Sequence, residues 1–147
     1  MSNEHTVKSY EEELRYLIDS VIKMGSLTES QLVDSMDAVI KVDKDSIDKI
    51  IKSDDEINKF RSKIDTQIMT LLVKRAPMAI DLRETISSLK ISQDLERIGD
   101  LSKSNAKKVK PLPLDLPEEL LGNLKRLGEL VIKQLNDVLD SYVNKNY

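Results

Sequence analysis

The 147-residue sequence contains no cysteine, and its single histidine, His5, lies close to the amino terminus. Without cysteine the chain has no disulfide, no thiolate nucleophile and no thiolate metal site, so any bound metal must be held by oxygen. A lone histidine in this position also excludes a Ser-His-Asp triad and a di-iron bundle built on Glu-x-x-His motifs. The main histidine- and thiol-based chemistries are therefore excluded.

Long hydrophobic runs are missing as well. The longest uncharged stretch runs from Thr66 to Val73, far short of the roughly 20 apolar residues of a membrane-spanning helix. The opening MSNEHTVKSYEEEL lacks the apolar segment of a signal peptide. We therefore predict a cytoplasmic protein, and its net charge of -3 gives no general attraction to nucleic acid or anionic lipid.

The residues that are abundant favour helices. Hydrophobic residues make up 39% and charged residues 33% of the chain, whereas aromatic residues are only 3%, a balance typical of an all-α protein. Apolar residues recur at steps of three and four, which places them on one helix face. The first stripe consists of Val7, Tyr10, Leu14, Leu17, Val21 and Met24 and resumes at Leu32, Met36 and Val39.

These patterns predict the boundaries of the helices. A first helix covers about 6–42, because Gly25-Ser26 weakens it without a proline to break it. A short helix over 45–52 precedes a long one that begins at the capping sequence Ser53-Asp54-Asp55-Glu56 and ends near 75. A third helix runs from Pro77 to about 109, and a fourth opens at Pro117.

The fourth predicted helix repeats part of the first. A shift of 103 residues superimposes Gly25, Leu27, Gln31, Leu32, Asp34 and Asp37 on Gly128, Leu130, Gln134, Leu135, Asp137 and Asp140. Chance similarity between amphipathic helices is the alternative reading. If the repeat is real, residues 1–110 form a three-helix bundle and 111–147 form a linker and the first helix of a second unit. The apolar face of that helix must then be covered by the bundle or by another chain.

Two acids in the third predicted helix are the main candidates for chemistry. Glu96 and Asp100 are one turn apart, so both carboxylates project from one face and offer oxygen ligands to a hard cation. Gly99 between them lets another group come close. The alternative is that both are solvated surface acids, or that Glu96 pairs with Arg97 or Lys103.

Several stretches of the chain form distinctive motifs: HTVKSYEEEL, MGSL, the Arg75-Ala76-Pro77-Met78 corner with Asp81-Leu82-Arg83, LKISQDLERIGD and DVLDSYV. Together they resemble the PhoU family, the accessory regulators of phosphate-specific transport. The resemblance runs nearly from end to end, and LERIGD shortly after Pro-x-x-x-Asp-Leu-Arg is its most specific part. It implies two tandem three-helix bundles, of which only the first is complete here.

The resemblance also implies a metal site on the bundle surface. PhoU-like proteins carry E/D-x-x-x-D motifs that bind metal, and the matching residues here are Glu96, Asp100 and Asp65. The expected metal is a divalent or ferric ion such as Fe, Mn, Zn or Mg. Arg61 stands where an acid is common, and it adds a positive charge one turn from Asp65.

The function implied is that of an adaptor without catalytic activity. The resemblance implies a negative regulator of the phosphate-starvation response that links the ATPase subunit of the phosphate importer to a membrane sensor histidine kinase. A homodimer is expected. One alternative is a purely structural helical interaction module with no metal or phosphate-linked role. Another is a metal-dependent hydrolase using Glu96 and Asp100 on bound water, for which a general base beyond those ligands is lacking.

Overall fold

The computed structural model describes the backbone of residues 2–75 and 79–144 and the side chains of 9–74 and 82–144. This part of the chain forms helices and no strand, so the all-α prediction is confirmed. The predicted start of the third helix at Pro77 lies outside the described residues. The helices are α1 (Ser2–Lys41), α2 (Ile47–Arg75), α3 (Ala79–Lys108) and α4 (Glu118–Asn144).

The turn between α1 and α2 is built from a short run of polar contacts. Val42 takes the left-handed conformation, with φ of 50°, and the Asp43 amide donates to the Ala38 carbonyl at 2.9 Å. Asp43 Oδ1 then accepts hydrogen bonds from the amides of Asp45 at 3.0 Å and Ser46 at 3.3 Å. The chain therefore reverses within a few residues, which places α1 and α2 side by side.

The predicted break within the second helical segment is wrong. α2 is continuous from Ile47 to Arg75, because Asp54 does not cap a helix end. It lies 1% exposed in the interior of the bundle, where Ile50 and Ile57 on either side of it are also buried. Sequence reasoning assigned Asp54 a local role, whereas its hydrogen-bond partners lie mainly on other helices.

α1, α2 and α3 pack into a bundle around an apolar core, and α1 packs against each of the other helices. Burial of these side chains supplies the main driving force for the fold. The fully buried apolar side chains of this bundle include Leu17, Val21, Met24, Ile57, Ile64, Leu71 and Leu95.

The buried face of α3 is polar over much of its length. Thr85, Ser88, Ser92 and Ser102 are buried, and the serine hydroxyls donate to carbonyls of their own helix at 2.8 Å. These short side chains satisfy their hydrogen bonds locally, so burying them leaves no unpaired hydroxyl.

α4 packs antiparallel along α1. A Cβ on Gly25 would lie 2.6 Å from Leu139 Cδ2, and a Cβ on Gly128 would lie 2.6 Å from Met36 Cε. Each glycine therefore lets a large side chain of the other helix rest on its backbone. Near the end of α4 the Tyr142 hydroxyl also shares a 2.8 Å hydrogen bond with the Ser88 hydroxyl of α3.

Candidate functional site

Charged side chains cross the contact between α2 and α3 at two levels. Lys103 on α3 pairs with Asp54 on α2, and Arg61 Nε on α2 lies 3.3 Å from Glu96 Oε2 on α3. The same seven-residue step separates Asp54 from Arg61 and Glu96 from Lys103, which on two antiparallel helices puts both pairs on one line, two turns apart. We call Asp54, Arg61, Asp65, Glu96, Asp100 and Lys103 the ion-paired seam.

Arg61 is the centre of the first level. Its guanidinium pairs with Asp65 one turn along α2 as well as with Glu96 on α3. The Arg61 side chain is 13% exposed, whereas Asp65 and Glu96 are 46% and 39% exposed. The positive charge therefore lies beneath the two carboxylates. Solvent and salt screen its attraction to both of them less than they would at an open surface.

Lys103 is the centre of the second level. It pairs with Asp54, whose side chain is 2% exposed, and its Nζ lies 3.0 Å from Asp100 Oδ1. The hydrogen bond to Asp54 raises the pKa of Lys103 above its ordinary value, burial opposes the rise, and Asp100 adds to it. Lys103 therefore stays charged and neutralises a carboxylate that has little contact with water.

α1 reaches this level through one amide group. Gln31 Nε2 donates to Asp54 Oδ1 at 3.0 Å and to the Gly99 carbonyl at 2.9 Å. Asn58 Nδ2 donates to the other oxygen of Asp54 at 3.3 Å. A Cβ on Gly99 would lie 3.2 Å from Ile57 Cδ1, so glycine allows α3 to approach α2 closely at this point, as the sequence predicted.

The three predicted metal ligands do not form one cluster. Arg61 lies between Asp65 and Glu96 and pairs with both, whereas Asp100 pairs with Lys103. Among the described residues no cluster of three or more His, Cys, Asp or Glu side chains is arranged to hold a metal ion. The ligand set as it stands does not fit a metal, because a basic side chain contacts each of its carboxylates. Metal binding stays a prediction.

Sequence reasoning missed the residues that organise this site. Glu96 was expected to pair with Arg97 or Lys103 if it paired at all, and its partner is Arg61. Asp54 and Gln31 were not considered as site residues. The available clue was a shared spacing. An acid and a base lie seven residues apart on α2, as Asp54 and Arg61, and again on α3, as Glu96 and Lys103.

A second surface is the outer face of α4. The buried residues of this helix are Gly128, Leu135 and Tyr142, which face α1 and α3. Its outer face carries an exposed apolar stripe, named here the α4 stripe, which consists of Leu120, Leu127, Val131 and Val138. The shift of 103 residues superimposes these four residues on buried residues of α1, which are Leu17, Met24, Thr28 and Ser35.

None of the described helices combines the length and the hydrophobicity needed to cross a membrane. In the part of the chain that the structure describes, four long helices, a seam of ion pairs between two of them and an exposed apolar helix face define an all-α bundle protein.

The chain belongs to the PhoU family. The family model described as the PhoU domain matches residues 21–109, which is more than half of the chain. The resemblance seen in the sequence motifs is thereby confirmed.

Similar proteins match nearly all of this chain. It is 38% identical over 144 residues to the phosphate-specific transport system accessory protein PhoU homolog of Caulobacter vibrioides strain NA1000, covering 97% of the chain and 63% of that protein. The homolog of the same name from Rhizobium meliloti strain 1021 is 37% identical over 147 residues, covering 99% of the chain and 62% of that protein. The chain thus spans less than two thirds of the length of these relatives.

Solved structures agree with the fold. The crystal structure of the phosphate transport system regulatory protein PhoU from Streptococcus pneumoniae matches with a TM-score of 0.81 and 32% identity, over 90% of this chain and 62% of that one. The crystal structure of PhoU from Pseudomonas aeruginosa matches with a TM-score of 0.83 and 28% identity, over 93% and 66%.

Proposed function

We propose that this protein regulates phosphate homeostasis as a negative regulator of the phosphate-starvation response. The observation that carries the proposal is the match of 97% of the chain to a protein named for its accessory role in phosphate-specific transport. Because a bundle of this kind offers surfaces rather than a reactive centre, the regulation is exerted by binding to other proteins. The expected place of action is the cytoplasm.

The partners proposed are the ATPase subunit of the phosphate importer and a sensor histidine kinase. An adaptor needs a face that another protein can cover, and exposed apolar surface bordered by polar residues is the usual form of such a face. Met69 and Val73, called here the apolar pair of α2, have this character. They are 61% and 78% exposed and lie one turn apart among polar residues. A homodimer is a further part of the proposal.

We also propose that α4 is the first helix of a second repeat, with 1–110 as the first bundle and 111–147 as a linker and that helix. The support is a reciprocal packing relationship. Gly25 faces Leu139 and Gly128 faces Met36, and the same shift of 103 residues relates Gly25 to Gly128 and Met36 to Leu139. Two copies of one motif related by a local twofold axis pack in this way.

Deletion of the gene tests the regulatory role. Expression of phosphate-starvation genes in phosphate-rich medium should rise in the deletion strain and return to normal when the gene is restored. Unchanged expression would reject the role and favour the alternative, a purely structural helical interaction module.

The proposal includes no catalytic step. Phosphatase assays on the purified chain with added Mn²⁺ should show no activity above that of a Glu96→Gln, Asp100→Asn double variant. Activity that the double variant loses would instead support the metal-dependent hydrolase.

A further inference from the structure

We propose that Arg61 neutralises and bridges Asp65 and Glu96 in place of a bound metal ion, and that it thereby prevents a divalent metal ion from binding at this surface. This role of Arg61 in the ion-paired seam does not depend on the proposed function. The contacts of Arg61 explain why the carboxylates expected to bind metal are occupied in this chain.

Arg61 bridges acids from two helices. The Arg61 guanidinium contacts a carboxylate on its own helix and lies 3.3 Å from a carboxylate oxygen of α3. One positive group therefore joins acids from two helices, which is the bridging role that a hard cation with oxygen ligands would have. The planar fork of arginine suits two carboxylates at once, whereas a lysine offers a single point of charge.

Arg61 also limits the access of a metal ion to the two acids. Arg61 is the most buried member of this group, and the two acids lie above it. A metal ion that approached Asp65 and Glu96 together would have to displace the guanidinium or share their oxygens with it at close range. Both are unfavourable, because the positive charges of the metal ion and the guanidinium repel each other at close range, where screening is weak.

The remaining acid of the expected ligand set, Asp100, is paired elsewhere. Asp100 is held by Lys103, which also pairs with the buried Asp54. Withdrawing Lys103 to free Asp100 would leave Asp54 without its charged partner inside the bundle. Asp100 therefore remains paired at the other level of the seam, and the access of a metal ion to Asp65 and Glu96 depends on Arg61 alone.

The test replaces the cation by a ligand. Arg61→Glu places a third carboxylate between Asp65 and Glu96 and removes the competing charge. Lys59→Glu makes the same change of charge at an exposed position two residues away, roughly on the opposite side of α2, and serves as the matched control. Wild type and both variants, as the full chain, are dialysed against Mn²⁺, and metal content and melting temperature with and without Mn²⁺ are measured.

We expect wild type and Lys59→Glu to retain no stoichiometric Mn²⁺ and to melt at a temperature that Mn²⁺ does not move. Arg61→Glu should retain about one Mn²⁺ per chain, melt lower than wild type without metal, and recover when Mn²⁺ is added. Stoichiometric Mn²⁺ on the wild type would overturn the proposal, and so would a helical Arg61→Glu protein that retains none.

A neutral variant keeps the test decisive if Arg61→Glu fails to fold. Arg61→Gln removes the charge and leaves Asp65 and Glu96 in place, so its affinity for Mn²⁺ should exceed that of the wild type by at least about tenfold. Equal affinity of Arg61→Gln and wild type would show that Arg61 is not what excludes the metal.

Discussion

Gln31 Nε2 donates a hydrogen bond to Asp54 Oδ1 at 3.0 Å, and this contact ties α1 to the ion-paired seam between α2 and α3. Asp54 accepts from Gln31 on α1, Asn58 on α2 and Lys103 on α3. A carboxylate that is almost fully buried is stable only with such partners. Asp54 is therefore the point at which the three helices of the bundle are joined by polar contacts.

Removal of this carboxylate should be costly. Asp54→Ala removes the buried acceptor that Lys103 and Gln31 share and leaves them only Asp100 and the Gly99 carbonyl. We expect the free energy of unfolding to fall by about 3 kcal/mol. Urea denaturation followed by circular dichroism measures the change. The matched control is Asp55→Ala, an exposed neighbour, which should change stability by less than about 0.5 kcal/mol. Equal losses in the two variants would contradict the assignment.

The raised pKa of Lys103 predicts a loss of stability at high pH. Asp54 holds the folded-state pKa above the ordinary value of 10.5, so the ion pair contributes fully below 10.5 and its contribution is lost as the pH rises through the folded-state pKa. Wild type should therefore exceed Lys103→Met in stability at neutral pH, and the difference should shrink in strongly alkaline buffer. A difference that does not change with pH would mean that the ammonium charge contributes nothing.

Substitution by alanine should have different effects at two glycines. Gly99→Ala puts a Cβ 3.2 Å from Ile57 Cδ1 and 3.5 Å from Asp54 Oδ1, whereas nothing lies within 4 Å of a Cβ at Gly122. Gly122→Ala should stabilise the protein by about 0.5–1 kcal/mol through helix propensity. At Gly99 the crowding by the new Cβ should cost about 1–2 kcal/mol, which cancels or reverses that gain. Thermal unfolding of the two variants decides the point, and an equal gain at Gly99 would show that the helices are not close there.

The reciprocal packing of α1 on α4 predicts matched effects of two distant substitutions. Gly25→Ile should push Leu139 away, and Gly128→Ile should push Met36 away, because both Cβ positions lie 2.6 Å from those side chains. Hydrogen exchange should accelerate in α4 in both variants and change little in α2, which makes no comparable contact with α4. Acceleration in only one variant would argue against a local twofold relationship.

Much of the fold was predictable because long apolar stripes fix helices with little ambiguity. The continuity of α1 through Gly25 and the opening of α4 beside Pro117 follow from spacing and turn residues alone. The false break at Ser53 arose because aspartate favours helix starts, and only the packed bundle shows that Asp54 has partners on other helices. Local propensity was overruled there by tertiary contacts.

The relative position of Glu96 and Asp100 on one helix was predictable, but their partners and the contribution of Asp54 and Gln31 were not. Glu96 and Asp100 stand one turn apart as expected, yet each is held by a different basic side chain. Which base meets which acid depends on the register of α2 against α3, and a shift of one turn would change every partner. One sequence carries no direct record of that register, so Arg61 was recognised as a neighbour of Asp65 but not as the partner of Glu96.

The most direct test of the proposed adaptor role is calorimetric titration of the full chain with the cytoplasmic region of the sensor histidine kinase. The wild type should bind. Met69→Asp, in the apolar pair of α2, should weaken binding by at least about tenfold, whereas Arg126→Asp, at an exposed position on α4, should bind nearly as the wild type does. Absence of binding by the wild type would contradict the account, and equal affinities of all three proteins would show that the apolar pair of α2 is not part of the contact surface.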